Sequence, residues 1–289
     1  MMQRHFRTTA LAGAAAAFLS FGAATAASAE DIAGHDGLNA TYWVQNAVEY
    51  KANAYALYQL AMVRLDQALA DKSWTAALEQ TGDYQSKPPA VILDIDETVL
   101  DNSPYQAWIV EKDKYYSSKT WGPFVETQTS RAIPGSLEFT KYAKSKGVKV
   151  IYVSNRKAPG EDATRANLKK FGYPVDEDTD VVLLRGEKEE WKSSNKTPRR
   201  EAVVAEYRVL LQLGDNLGDF TDENVKGSPS ERLETYKKYQ AMWGKQWIMF
   251  ANPTYGSWEG AAINNNWKAS SSEKRAMKHA IMDEWEGPK

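Results

Sequence analysis

Apolar residues recur at spacings of three and four from Trp43 through Ala47, Tyr50, Ala54, Leu57, Ala61 and Leu65. That spacing draws one stripe along a helix and predicts helical structure over residues 38 to 80, closed by Gly82 and Pro88-Pro89. The pattern then changes. Short apolar runs follow at Ala90–Leu93, Val148–Val153, Val181–Leu184, Val209–Leu213 and Trp247–Phe250. Between them lie amphipathic stretches near 136–146, 162–171, 198–206 and 230–241. Buried strands alternating with helices predict an α/β fold, a Rossmann-like, mostly parallel sheet flanked by helices.

Residues 102 to 131 break this alternation. They carry Tyr105, Trp108, Tyr115, Tyr116, Trp121 and Phe124 and read as a small helical cap inserted after the first strand. The chemistry-bearing residues sit where the apolar runs end: Asp94 and Asp96 after the first, Ser154 to Arg156 after the second, Asp215 and Asp219 after the fourth. Ligands of open α/β sheets bind outside the carboxyl ends of the strands, so these separated pieces are expected to converge.

The chain of 289 residues is 43% apolar, enough for a large core without cross-links. Its formal charge of −2 excludes a nucleic-acid polymer as the main partner, because backbone binding needs a basic surface. Arg4 and Arg7, the apolar stretch Ala10–Ala24 and Ala27-Ser28-Ala29 read as a signal peptide over 1–29, cleaved before Glu30. Cleavage removes two arginines and no acid, which takes the formal charge from −2 to −4. The remainder, 30–289, is read as one domain with no membrane span, placed in the periplasm or the medium. There is no cysteine, hence no disulfide and no cysteine-linked lipid anchor.

Asp94 and Asp96, two apart at a buried strand end, are costly to ionise together unless a cation lies between them. Mg²⁺ suits such oxygen donors. One carboxylate can then attack phosphorus while the other serves as acid and base. The run Val91-Ile92-Leu93-Asp94-Ile95-Asp96-Glu97-Thr98 resembles the first motif of the haloacid dehalogenase superfamily phosphatases. Its continuation to Tyr105 is similar to bacterial class C acid phosphatases, a family that includes lipoprotein 5′-nucleotidases. Further matches follow in order. Val150–Arg156 resembles the second motif, Lys196 the third-motif lysine, Gly214–Phe220 the acidic fourth motif, and Asn252–Gly260 the family's C-terminal segment.

The resemblance implies an acid phosphomonoesterase acting on small phosphate esters, with nucleoside monophosphates expected. Asp94 would be the nucleophile, and Mg²⁺ would be held by Asp94, by the Asp96 backbone carbonyl, by Asp215 and by Asp219. Asp96 would be the general acid and base, Ser154 a phosphoryl hydrogen-bond donor, and Lys196 the phosphate-pairing cation. Since Asp96 must be protonated to act as acid, an acidic optimum is expected. Lys188 and Lys192 lie near Lys196 in sequence and leave that assignment open, while Arg199 and Arg200 read as a solvated helix start. Asn155 and Arg156 fit either a turn or a phosphate contact. Tyr105, Trp121, Tyr255 and Trp258 are the aromatic candidates for a base-stacking surface. Passing the same phosphoryl group to an alcohol, or a binding or storage role on this fold, are the rival functions. His35 and His279 lie in no matching motif, which argues against a histidine phosphatase.

Overall fold

A computed structural model of the chain describes residues 34–288. The expected signal peptide over 1–29 lies outside the described residues. The helical region is two helices, α1 (Leu38–Asn46) and α2 (Val48–Ala70), broken where Ala47 turns extended. Helix α2 stops ten residues short of the expected end. Asp71 leaves helical space, and its carboxylate accepts a hydrogen bond from the Ser73 amide at 2.9 Å, a local turn that competes with helix continuation. The face that α2 buries carries Tyr50, Ala54, Tyr58, Ala61, Leu65 and Ala68.

The remaining elements are β1 (Pro89–Leu93), β2 (Leu100–Asp101), α3 (Ser103–Glu111), α4 (Ser118–Glu126), β3 (Arg131–Ala132), α5 (Ser136–Ser145), β4 (Lys149–Lys157) and α6 (Glu161–Phe171). They continue through β5 (Val182–Arg185), α7 (Thr197–Glu206), β6 (Arg208–Gly214), α8 (Pro229–Lys238), β7 (Trp247–Met249), α9 (Ser257–Ala262) and α10 (Ser271–His279). Five strands form one sheet in the order β5-β4-β1-β6-β7, parallel at every pairing. This is the predicted α/β architecture. The chain runs outward from β1 through β4 and β5, then crosses back to β6 on the other flank. That reversal opens a crevice at the carboxyl ends of β1 and β6.

The core is the sheet itself, Val91, Leu93, Ile151, Val153, Leu211 and Leu213, covered by helices that include α2 and α5. Tyr58 of α2 is fully buried and donates from its hydroxyl to Thr98 O at 2.6 Å, which ties the helix to the loop after β1. Gly135, at φ 89°, caps α5 against it. A Cβ there would come within 2.9 Å of Tyr58 Cβ, so a larger residue is excluded on two counts.

The insertion is a cap on a stem. Strands β2 and β3 pair antiparallel, Leu100 with Ala132 and Asp101 with Arg131, and α3 and α4 lie between them. Around the buried Tyr105 ring stand Trp108, Tyr116, Trp121 and Phe124, with centroids 5.0–6.4 Å away. Tyr105, expected as a substrate contact, is therefore the centre of the cap's own small core, and its hydroxyl pairs with Thr120 Oγ1 at 2.8 Å. Among the described residues no helix is long and apolar enough to cross a membrane.

Candidate active site

Strand β1 delivers Asp94 into the crevice while its amide still donates to Leu213 O on β6 at 2.9 Å. The chain then turns sharply. Ile95 O accepts from the amides of Val99 and Leu100, both at 2.9 Å, and Glu97 takes a left-handed conformation at φ 56°. Strand β6 ends at Gly214, and the next turn presents Asp215 and Asp219. A Cβ at Gly214 would overlap the Asp219 side chain, so glycine is what lets that carboxylate fold back beneath the strand end. There it accepts from the Asn216 amide at 2.8 Å.

One cation joins these pieces. Lys196, 3% exposed at the start of α7, places Nζ 2.7 Å from Asp94 Oδ1 and 2.6 Å from Asp219 Oδ1. Lys192 instead pairs with Glu189 on the surface, and Lys188 lies over the Trp191 ring. Of the three lysines left open by the sequence, only Lys196 stands at the carboxylates. Asp94, Asp215 and Asp219 each offer an oxygen within 4.8 Å of the others. Asp215 is oriented by Asn252 Nδ2 at 2.9 Å.

Burial pushes Asp94 up to about 6, with Lys196 opposing the rise and the Asp219 and Asp96 carboxylates adding to it. Asp215 is held well above the usual carboxylate range by burial, then by Asp219 and Asp94. Burial works against the charge of Lys196, yet the two carboxylates outweigh it and hold the ammonium above its ordinary range.

Three hard-oxygen carboxylates thus face one ammonium. Asp94 Oδ1 is buried without a well-directed hydrogen bond despite the ammonium 2.7 Å away. This donor set fits a small divalent cation such as Mg²⁺. Without a metal, ionising Asp94 in the fold costs on the order of 3 kcal/mol relative to the unfolded chain. Between about pH 4 and 6 the folded state then keeps a proton on Asp94 that the unfolded chain has released. The contribution of Asp94 to stability therefore falls as pH rises through that window. We therefore expect EDTA-treated protein to melt higher at pH 5 than at pH 7, and added Mg²⁺ to raise Tm more at pH 7. Equal Mg²⁺ shifts at both pH values, read by differential scanning calorimetry, would contradict this.

Asp96 stands slightly apart. Its Oδ1 accepts from Arg156 Nε at 2.9 Å and Asn102 Nδ2 at 2.8 Å; among the described residues Oδ2 receives no hydrogen bond. Its side chain is not in the acidic cluster. Arg156, expected as a possible phosphate contact, is buried and spent on Asp96, Thr164, Asn102 and Ser130. Asn155 is likewise engaged, donating to Ser194 O at 3.0 Å and accepting from Arg199 Nη2 at 2.7 Å. Ser154 is buried at the end of β4. Its Oγ accepts from the Arg156 amide at 3.1 Å, leaving its O–H free to donate.

Arg199 and Arg200 are not a solvated helix start; both are fully buried. Arg199 donates to Ser154 O and Asn155 Oδ1, and so braces the end of β4. Arg200 binds Glu79 at 2.8 Å and Gly218 O at 3.2 Å, and so braces the turn carrying Asp219. Their partners lie far away in sequence, which is why a local charge pattern misplaced them.

Glu97 also escaped the sequence reading. It is buried, accepts from the Asn102 amide at 2.8 Å and from the Tyr255 hydroxyl, and is held well above its usual range by burial, then by Asp96 and Asp215. Its only signal is a third acid in Asp94-Ile95-Asp96-Glu97. Tyr255 is thereby fixed to the loop after β1. Trp121 lies half-buried at the cap with the Arg156 guanidinium 5.7 Å from its ring. Trp258 is exposed, donates to Asn252 O at 3.2 Å and lines a cavity of about 260 Å³ beside Asp215, with Arg232, Tyr236 and Trp243.

Comparison with known proteins gives the following. The profile of the HAD superfamily, subfamily IIIB (Acid phosphatase) matches residues 16–258. The class C acid phosphatase from Bacillus anthracis is similar in structure at TM-score 0.75 and 38% identity, over 86% of this chain and 97% of that one. The same protein with tungstate bound aligns at TM-score 0.74. Acid phosphatase 1 of Solanum lycopersicum is 29% identical over 46% of this chain and 52% of its own length. The stem 28 kDa glycoprotein of Glycine max is 30% identical over 44% and 51%. The chain spans about half the length of these curated relatives.

Proposed function

Since the chain belongs to the acid phosphatase family of the HAD superfamily, subfamily IIIB, we propose that it is an exported acid phosphomonoesterase acting through a phosphoryl group carried on Asp94. The observation that carries this reading is the buried row Asp94–Lys196–Asp219, with Asp215 beside it, at the mouth of the parallel sheet. The tungstate bound by the Bacillus anthracis relative is a phosphate-shaped oxyanion, which is consistent with the same chemistry.

In this reading the Asp94 carboxylate attacks phosphorus and the bond to the ester oxygen breaks. Asp96 gives its proton to that oxygen as it leaves. The Arg156 and Asn102 hydrogen bonds on Oδ1 aim Oδ2 as the proton carrier. Asp96 then takes a proton from water, which attacks the aspartyl-phosphate, releases inorganic phosphate and restores Asp94. Lys196 Nζ and the free Ser154 O–H hold the phosphoryl oxygens in place. Asp94, Asp215, Asp219 and the Asp96 carbonyl are the groups that would hold Mg²⁺, which when bound neutralises charge on the transferring phosphoryl group.

Nucleoside monophosphates are the proposed substrates, with Trp121, Tyr255 and Trp258 as aromatic surfaces for the base. The test is phosphate release from 5′- and 3′-nucleotides and simple aryl phosphates, with Mg²⁺ or EDTA, at acidic and neutral pH. We expect metal-dependent release that favours nucleotides and is faster at acidic than at neutral pH. Equal rates on all esters would remove the base site, and no release under any condition would remove the phosphatase reading.

A further inference from the structure

The end of β4 does more than hold Ser154. Strand β4 pairs Ser154 with Leu184 of β5, yet its next paired residue is Lys157, opposite Arg185. Two residues, Asn155 and Arg156, are thus looped out of register. Such bulges redirect side chains next to active sites. Here Arg156 turns inward to Asp96, while Lys157 and Arg185 are set side by side on neighbouring strands.

Like charges at paired positions repel, and a sheet does not place them so without cost. Neither Lys157 nor Arg185 has a carboxylate partner among the described residues. The nearby acids are committed: Glu187 accepts from the Leu184 amide at 2.6 Å, Glu189 pairs with Lys192, and Glu161 and Asp180 pair with Arg165. Arg185 is oriented rather than free, since its Nε donates to Lys192 O at 2.8 Å, which leaves both terminal nitrogens available. Lys157, Arg185 and Lys192 line a cleft of about 230 Å³ with Ala158, Pro159 and Gly186. All this lies on a protein of net negative formal charge.

The cleft opens at the same carboxyl-end rim as the candidate active site. Lys157 follows Ser154 by three positions, and their partners Leu184 and Arg185 are adjacent on β5, so the bulge keeps the two close along the strand. Arg199, which braces Ser154, feels the charges of both Asp94 and Arg185. We propose that the Lys157–Arg185 cleft is a second anion subsite, which selects phosphomonoesters whose leaving group carries a further phosphate. This deepens the phosphatase reading and rests on it.

The test compares kcat/KM for adenosine 5′-monophosphate, adenosine 3′,5′-bisphosphate and p-nitrophenyl phosphate at low ionic strength, for the wild type and the Lys157→Gln/Arg185→Gln double variant. We expect the wild type to prefer the bisphosphate roughly tenfold, the scale of a charge-assisted contact. In the variant that preference should collapse through KM, with p-nitrophenyl phosphate turned over as before. A wild-type ratio at or below one, or a ratio the variant leaves unchanged, overturns the subsite while the phosphatase reading stands. If p-nitrophenyl phosphate is not hydrolysed at all, the phosphatase reading fails instead. The subsite is then judged by calorimetric titration of the two adenosine phosphates, where binding of the bisphosphate that does not depend on Lys157 and Arg185 overturns it.

Discussion

Asp94→Asn is expected to lose turnover by roughly 10⁴-fold or more, since removal of an attacking group leaves only binding and electrostatic contributions. It should do so without unfolding. Asn keeps the shape of the side chain and removes one of three crowded carboxylates, while Lys196 keeps its 2.6 Å pair with Asp219. Burial already pushes Asp94 up to about 6. Metal-free Asp94→Asn protein should therefore melt at or above the wild type at pH 7, by the sign of the linkage between proton uptake and folding. The pair of readouts matters. Lost activity with a lowered Tm would point to structural damage, whereas lost activity with an unchanged or raised Tm isolates the chemistry.

Lys196→Met gives the opposite stability result. Methionine fills similar space but leaves Asp94 and Asp219 buried with no cation. Breaking one side of a buried ion pair costs about 3–5 kcal/mol because the remaining charge is uncompensated. At roughly 2–4 °C per kcal/mol for a chain of this size, Tm should drop by about 6–20 °C at pH 7. The drop should shrink at pH 5, where Asp94 can take up a proton. Mg²⁺ should recover part of the stability without recovering the rate if, as proposed, Nζ also holds the phosphoryl group. Thermal melts at the two pH values, with and without Mg²⁺, check this. A variant as stable as the wild type at pH 7 would mean that the carboxylates are not ionised against Lys196.

What was legible in the sequence was whatever depends on local period and strand-end chemistry. The apolar runs ending at Asp94, Ser154 and Asp215 mark strands β1, β4 and β6, because parallel strands buried on both faces must be apolar throughout. The aromatic interruption at 102–131 marks the cap. What failed depends on partners far along the chain. Arg199 and Arg200 look like surface charge beside Lys192 and Lys196, yet Ser154, Asn155, Glu79 and Gly218 draw both inside. Spacing could not choose among Lys188, Lys192 and Lys196, since only the start of α7 faces the crevice. Tyr105 looks like a ligand aromatic, but a cap of about thirty residues needs a core of its own, and Tyr105 supplies it. Glu97 went unnoticed because its conformation and its bond to Tyr255 arise only once the loop closes.

The proposed mechanism requires the phosphoryl group to pass through Asp94. The most direct measurement is to quench the enzyme in acid during turnover, reduce the protein with borohydride and map the peptides by mass spectrometry. An acyl phosphate at Asp94 would be reduced there to homoserine, and that change is expected at residue 94 alone, dependent on substrate. Rapid phosphate release with Asp94 unmodified, or with the change at Asp96, would contradict it.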